Sequence, residues 1–106
     1  MHSLAREDLD RAYLFAARHA PETAERWAAR FEESLASLNH NPQRCALARE
    51  RRKTSVELRE FHFGKRPNVY RVVFSIEELS VHVLRILRAQ RRPLTGKQIE
   101  EASETE

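Results

Sequence analysis

Glycine, cysteine and long apolar runs are nearly missing from this chain. Of its 106 residues two are glycine, Gly64 and Gly96, and one is cysteine, Cys45. Two isolated glycines cannot build a loop that cradles phosphates, which excludes the glycine-rich nucleotide-binding classes. A lone cysteine cannot close an internal disulfide, so a reducing cytoplasm is the expected setting, with Cys45 as a small filler residue. No apolar run approaches the roughly 20 residues that a membrane-spanning helix requires. The opening MHSLAREDLDRAY places acids where a signal peptide needs an apolar core, so no leader is expected. His2, His19, His40, His62 and His82 are scattered, without the spacing of a metal site, and no metal or cofactor is expected. Phe61 and Phe63 are too few to stack a row of bases.

What is abundant is arginine. Sixteen arginines accompany only three lysines, and the net charge is +3. The charge is uneven. Residues 1–43 carry −2, residues 44–92 carry +8 and residues 93–106 carry −3. A basic middle of this kind favours an anionic or acidic partner. The length predicts one domain over 1–106 with a single modest core.

Periodicity orders the elements. Ala5, Leu9, Ala12, Tyr13 and Ala16 form one stripe of a helix over 5–18. His19-Ala20-Pro21 breaks it, and Pro21 opens a second helix over 22–39, with Glu22 at the positive end of its dipole. Ala24, Trp27, Phe31, Leu35 and Leu38 mark its apolar face, which core packing explains better than a ligand pocket. Asn39-His40-Asn41-Pro42 ends it, so 5–39 is a helical hairpin. Residues 43–55 are polar and basic and read as loop or a short helical turn. Three strands follow over 56–92. In Val56–Phe63 the apolar positions change parity, which predicts a bulge near Arg59-Glu60. Gly64–Asn68 is a hairpin loop, and Val69–Ile76 alternates cleanly. Val81–Leu87 is almost wholly apolar and reads as the central strand. Residues 93–106 start as a short helix and end as a flexible acidic tail. The class is α+β: a helical hairpin on a small antiparallel sheet of three main strands.

The ordered set DLDRAYLFAARHAPETAERWAARFEESLASLNHNP, ELRE, YRVVFSI and VLRILRAQRR resembles toxins of the RelE/ParE superfamily of type II toxin–antitoxin modules. The ParE-like branch is the better match, through its hairpin length and its ELRE–YRVVF–VLRI pattern. The resemblance implies two helices against a small sheet, a cognate antitoxin that wraps the toxin, and a role of the plasmid-stabilisation type. ParE-like chains poison DNA gyrase by binding. RelE-like chains cut mRNA on the ribosome and are the alternative reading, with an inactive relative as a third. Two departures stand out. Only Met1–Leu4 precede the first helix, too few for the N-terminal strand such toxins usually carry. Arg88 stands where a histidine often precedes the family's ending.

The resemblance also orders the candidate residues. Arg71 aligns with a phosphate-stabilising arginine of the nuclease branch, and Arg88 and Arg91 lie near the place of a second. The lysines of that branch align with Ser55 and Glu57, and its C-terminal tyrosine has no counterpart, since Tyr13 and Tyr70 sit on apolar stripes. RNA cleavage needs a base, an acid and converging cations. Here the acid and base are unassigned. Catalytic candidates are Arg71, Arg88, Arg91 and His82, with His62, Glu57 and Glu60 as further bases. The target- or anion-binding set is Arg59, Arg71, Arg88, Arg91 and Arg92. Arg59 also reads as an ion-pair partner of Glu57 or Glu60, and Arg85 as a buried partner of a carboxylate.

Overall fold

A computed structural model describes residues 1–104. Helix α1 spans Ser3–His19 and α2 spans Pro21–Ser37. Ala20 alone separates them, and its N–H bonds back to the Ala16 carbonyl at 2.8 Å. Pro21 occupies the first turn of α2, where its missing N–H costs nothing. Strands β1 (Ala46–Leu47), β2 (Glu57–Phe63), β3 (Tyr70–Glu77) and β4 (Ser80–Arg88) form one antiparallel sheet in that order. Helix α3 spans Gly96–Glu104.

The sheet is covered on both faces. Tyr70, Val72 and Phe74 of β3 point to the hairpin and join Ala12, Phe31 and Leu38 in a first core. Val73 points the other way, to a second core with Leu58, Leu84, Leu87, Leu94 and Ile99. The first core is aromatic: Phe31 and Phe63 stack at 4.4 Å, and Trp27 meets Phe31 edge-on at 5.3 Å. Offset and edge-on pairs of this kind add to the area they bury.

Four expectations need correction. The sheet has four strands, because Ala46–Leu47 inside the expected loop pairs with Glu60 and Arg59. No bulge interrupts Arg59-Glu60. The β2–β3 register runs unbroken from Glu57↔Ile76 to Phe63↔Tyr70. The parity change in β2 arises because Leu58 serves the second core while Phe61 and Phe63 pack on the first. The bulge lies instead in β4, where Val73 pairs Arg85 and Phe74 pairs Val83. The extra residue, Leu84, lets Val83 and Ile86 share the first core despite their unequal parity. Strand β4 is also not central but is the last in the order. It reads as central because helices cover both of its faces and its outer edge is occupied. The His2 N–H donates to the Val83 carbonyl at 3.0 Å, and the Ile86 N–H donates to Asp8 Oδ2 at 2.9 Å. Backbone and an α1 carboxylate thus occupy part of the outer edge of β4. Finally, the acidic tail is helical over Gly96–Glu104, with Ile99 and Ala102 buried in the second core. The end of that tail, residues 105–106, lies outside the described residues.

The loop after β2 depends on Gly64. Its φ is +106°, and a Cβ there would lie 2.5 Å from the Asn68 carbonyl oxygen. No L side chain fits both restrictions.

Phe31 is fully buried at the centre of the aromatic cluster. Phe31→Ala should lower the unfolding free energy by about 3–5 kcal/mol. Urea melts check this, and a loss well under 1 kcal/mol would show that the hairpin does not share a core with the sheet.

Candidate interaction surface

The +8 segment contains two kinds of arginine, and the fold separates them. Arg71 sits on β3, the strand with the longest run of buried residues. It faces the second core and is fully buried. Its Nη1 and Nη2 donate to Glu50 Oε1 and Oε2 at 2.9 and 2.8 Å, a fork-to-fork pair. The Leu94 N–H donates to Glu50 Oε2 at 2.7 Å, and Glu60 Oε1 lies 3.4 Å from Arg71 Nη1. Arg71 Nε has no partner. Burial alone would push the Glu50 carboxyl up, but the Arg71 hydrogen bonds and charge and the Leu94 N–H outweigh it and hold the carboxyl below its usual 4.5. Burial likewise works against the Arg71 charge, yet the Glu50 and Glu60 carboxylates hold its pKa above the ordinary arginine value. The structure thus places Arg71 inside the fold, where an internal carboxylate fills its fork.

Arg59 is also engaged internally. It donates to Glu57 at 2.6 Å and to the carbonyls of Gln43 and Cys45 at 3.2 and 2.6 Å, tying β2 to the segment before β1. Arg85 forms the buried carboxylate pair expected of it. Its Nε and Nη2 donate to Asp8 Oδ2 and Oδ1 at 2.7 and 3.1 Å. The hydrogen bond to Asp8, against some burial cost, raises the Arg85 pKa. His82 Nδ1 lies 3.4 Å from His2 Nε2, and His62 donates to Glu60 at 2.7 Å.

Of the candidate arginines, Arg88, Arg91 and Arg92 remain. Arg88 lies directly across from Tyr70, on the hairpin side of the sheet and so on the opposite face from Arg71. Its guanidinium sits 5.1 Å from the Phe15 ring centroid and donates to Asn68 Oδ1 at 2.8 Å. Arg91 and Arg92 are exposed, and among the described residues no carboxylate pairs with Arg88, Arg91 or Arg92. A groove of about 230 Å³ runs between α1 and the end of β4, with Arg11, Phe15, Tyr70, Arg88 and Arg91 on its walls. Burial holds the Tyr70 phenol above its usual 10.0, opposed by the Arg88 charge. Arg11 was missed as a member of this corner because it lies on the polar side of the α1 pattern, which says nothing about what crosses over it. Glu50 was missed because no periodicity marks its segment.

The model of the ParE toxin of type II toxin–antitoxin systems, parDE, matches residues 1–93. The chain belongs to that family. Comparisons with curated proteins and with solved structures find no match. The family match takes in the hairpin, the sheet and the Arg88–Arg92 corner and ends before α3. Type II toxin–antitoxin membership implies an antitoxin partner. Among the described residues no helix is long and apolar enough to cross a membrane, and no three or more metal-ligating side chains cluster.

The Glu50–Arg71 pair yields a pH prediction. A carboxyl depressed in the folded state stabilises above its unfolded pKa, and that stability is lost as pH falls below about 4.5 and through the lower folded value. Glu50→Gln should cost about 3–5 kcal/mol at pH 7, because it leaves the Arg71 charge buried and uncompensated. It should also remove part of the acid-induced loss. Chemical denaturation at pH 7 and pH 3 tests both. Equal losses in the parent and the variant between those pH values would exclude Glu50 as the titrating group.

Proposed function

We propose that this toxin acts by gripping a protein target, with DNA gyrase as the first candidate, and that a cognate antitoxin neutralises it. The observation that carries this reading is the burial of Arg71. The arginine that would steady a phosphate in the nuclease branch holds Glu50 with both terminal nitrogens. An RNA phosphate would have to break that pair and displace the Leu94 segment to reach it.

The remaining nuclease requirements are also dispersed. General acid–base cleavage needs its base, its acid and its cations within hydrogen-bond reach of one phosphate. Arg71 and Arg88 lie on opposite faces of the sheet. His62 is paired with Glu60 and His82 faces His2. Ser55 and Glu57 offer no amine where the nuclease branch has lysines. A cationic corner whose Arg88 and Arg91 have no carboxylate partner among the described residues suits recognition of an acidic protein surface, where complementary charge sets partner choice and encounter rate. The cytoplasmic setting and the plasmid-stabilising role belong to the same reading.

Purified toxin, free of antitoxin and in molar excess, should stop gyrase from supercoiling relaxed plasmid. Arg91→Glu, on an exposed side chain, should weaken that inhibition by about tenfold or more. The product of the adjacent reading frame, if it encodes the antitoxin, should restore supercoiling. Undiminished supercoiling in the presence of excess toxin would sink the gyrase reading. New mRNA ends in primer extension after induction would move the protein to the RNA-cleaving alternative, and harmless expression would mark an inactive relative.

A further inference from the structure

The groove beside Arg88 continues past Phe15. A second hollow of about 160 Å³ shares Ala12, Phe15 and Tyr70 with the first and runs to Ala16, Ala24 and Trp27 between the two helices. One half of the combined groove is cationic and the other is apolar. We propose that it is a docking site for an acidic peptide segment carrying one bulky apolar side chain. The side chain fills the hollow against Trp27, and the flanking carboxylates meet Arg88, Arg91 and Arg11. This deepens the reading of the chain as a toxin that grips protein, and rests on it.

Three observations favour such a segment. First, the arginines are available. Arg91 has no side-chain partner among the described residues, and Arg11 reaches Asp8 only at 3.4 Å. Asp8 itself is already held by two N–H groups of Arg85 and by the Ile86 backbone, so it does not neutralise the corner. Second, Arg88 is aimed. Its position over the Phe15 ring and its bond to Asn68 hold the guanidinium on the wall of the first hollow, beside residues shared with the second. A guanidinium held this way offers its remaining N–H groups as a ready fork for a carboxylate. Third, the walls suit a side chain better than a nucleobase. Phe15 is already stacked with His19 at 4.1 Å and covered by Arg88, and Tyr70 is buried. Phe15 and Tyr70 thus leave little face for successive bases to stack on, and Trp27 alone does not make the row of faces that single-strand binders rely on.

Fluorescence anisotropy with the full chain tests this. The probe is a labelled peptide with phenylalanine flanked on both sides by glutamates. Control peptides replace the glutamates with glutamine or the phenylalanine with glycine, and a labelled single-stranded RNA of similar length is run in parallel. The acidic phenylalanine peptide should bind, and both control peptides should bind about tenfold more weakly or worse. Arg91→Gln and Arg88→Gln should each weaken binding about tenfold. Arg52→Gln, which removes an equal charge from an exposed turn outside the groove, should leave it unchanged. Circular dichroism confirms that each variant is folded. No peptide binding, equal losses in all three arginine variants, or RNA that binds and displaces the peptide would each overturn the proposal. The gyrase assay is separate: peptide binding without gyrase inhibition would refute that target and leave this site standing, and the reverse result would refute the site alone.

Discussion

The buried pair of Arg71 and Glu50 holds together what the rest of the chain could not. Around the second core lie the two-residue edge strand β1, a short turn at Arg51–Lys53 and the nine-residue helix α3. None of these has the length to form by itself. One carboxylate joins them: Glu50 accepts two hydrogen bonds from the interior strand and one from Leu94, just before α3. Moving two charges out of water costs several kcal/mol per ion, which only near-ideal geometry offsets. The pair is therefore better understood as a device for register than as a large source of stability. It fixes where the segments on either side of β2 and β4 lie, and apolar contacts of Leu58, Leu94 and Ile99 then close the second core.

A second carboxylate does the same for the other side. Asp8 binds the Arg85 fork and the Ile86 N–H, which lays α1 along the outer edge of β4. Ala5 and Ala12 then reach the first core while Leu4 packs on the second. An edge strand with open N–H and C=O groups invites pairing with other chains. Here one side chain and one backbone donor close part of that edge without a further strand.

The hairpin was legible because each helix shows one continuous apolar face, and β3 was legible because its alternation is unbroken. Arg85 and Arg59 could also be anticipated, since a cation among apolar neighbours or beside a glutamate implies a carboxylate partner. Arg71 could not. Its alternation places it on the face that the pattern alone would leave to solvent, and its partner lies 21 residues away in a segment with no periodicity. Helix α3 was half legible, for Ile99 and Ala102 mark a stripe too short to outweigh the glutamates around it. The same lack of partner information hid the cationic corner. Sequence could name Arg88, Arg91 and Arg92, but not that Arg11 and Phe15 cross over to meet them.

These placements change what the basic charge of the chain means. A +8 segment looks like an electrostatic footprint for nucleic acid, yet footprints are made by cations that face outward together. Arg71 and Arg85 face inward to carboxylates, and Arg59 is turned to Glu57 and two carbonyls. What faces outward near the end of β4 is a small group beside an apolar hollow, not a stripe. Phosphate backbones reward the number of cations along a line, whereas a protein interface rewards one or two arginines next to a buried anchor. The corner has the second composition. On that ground the reading of this toxin as a binder of protein rests on how its arginines are distributed rather than on how many it has.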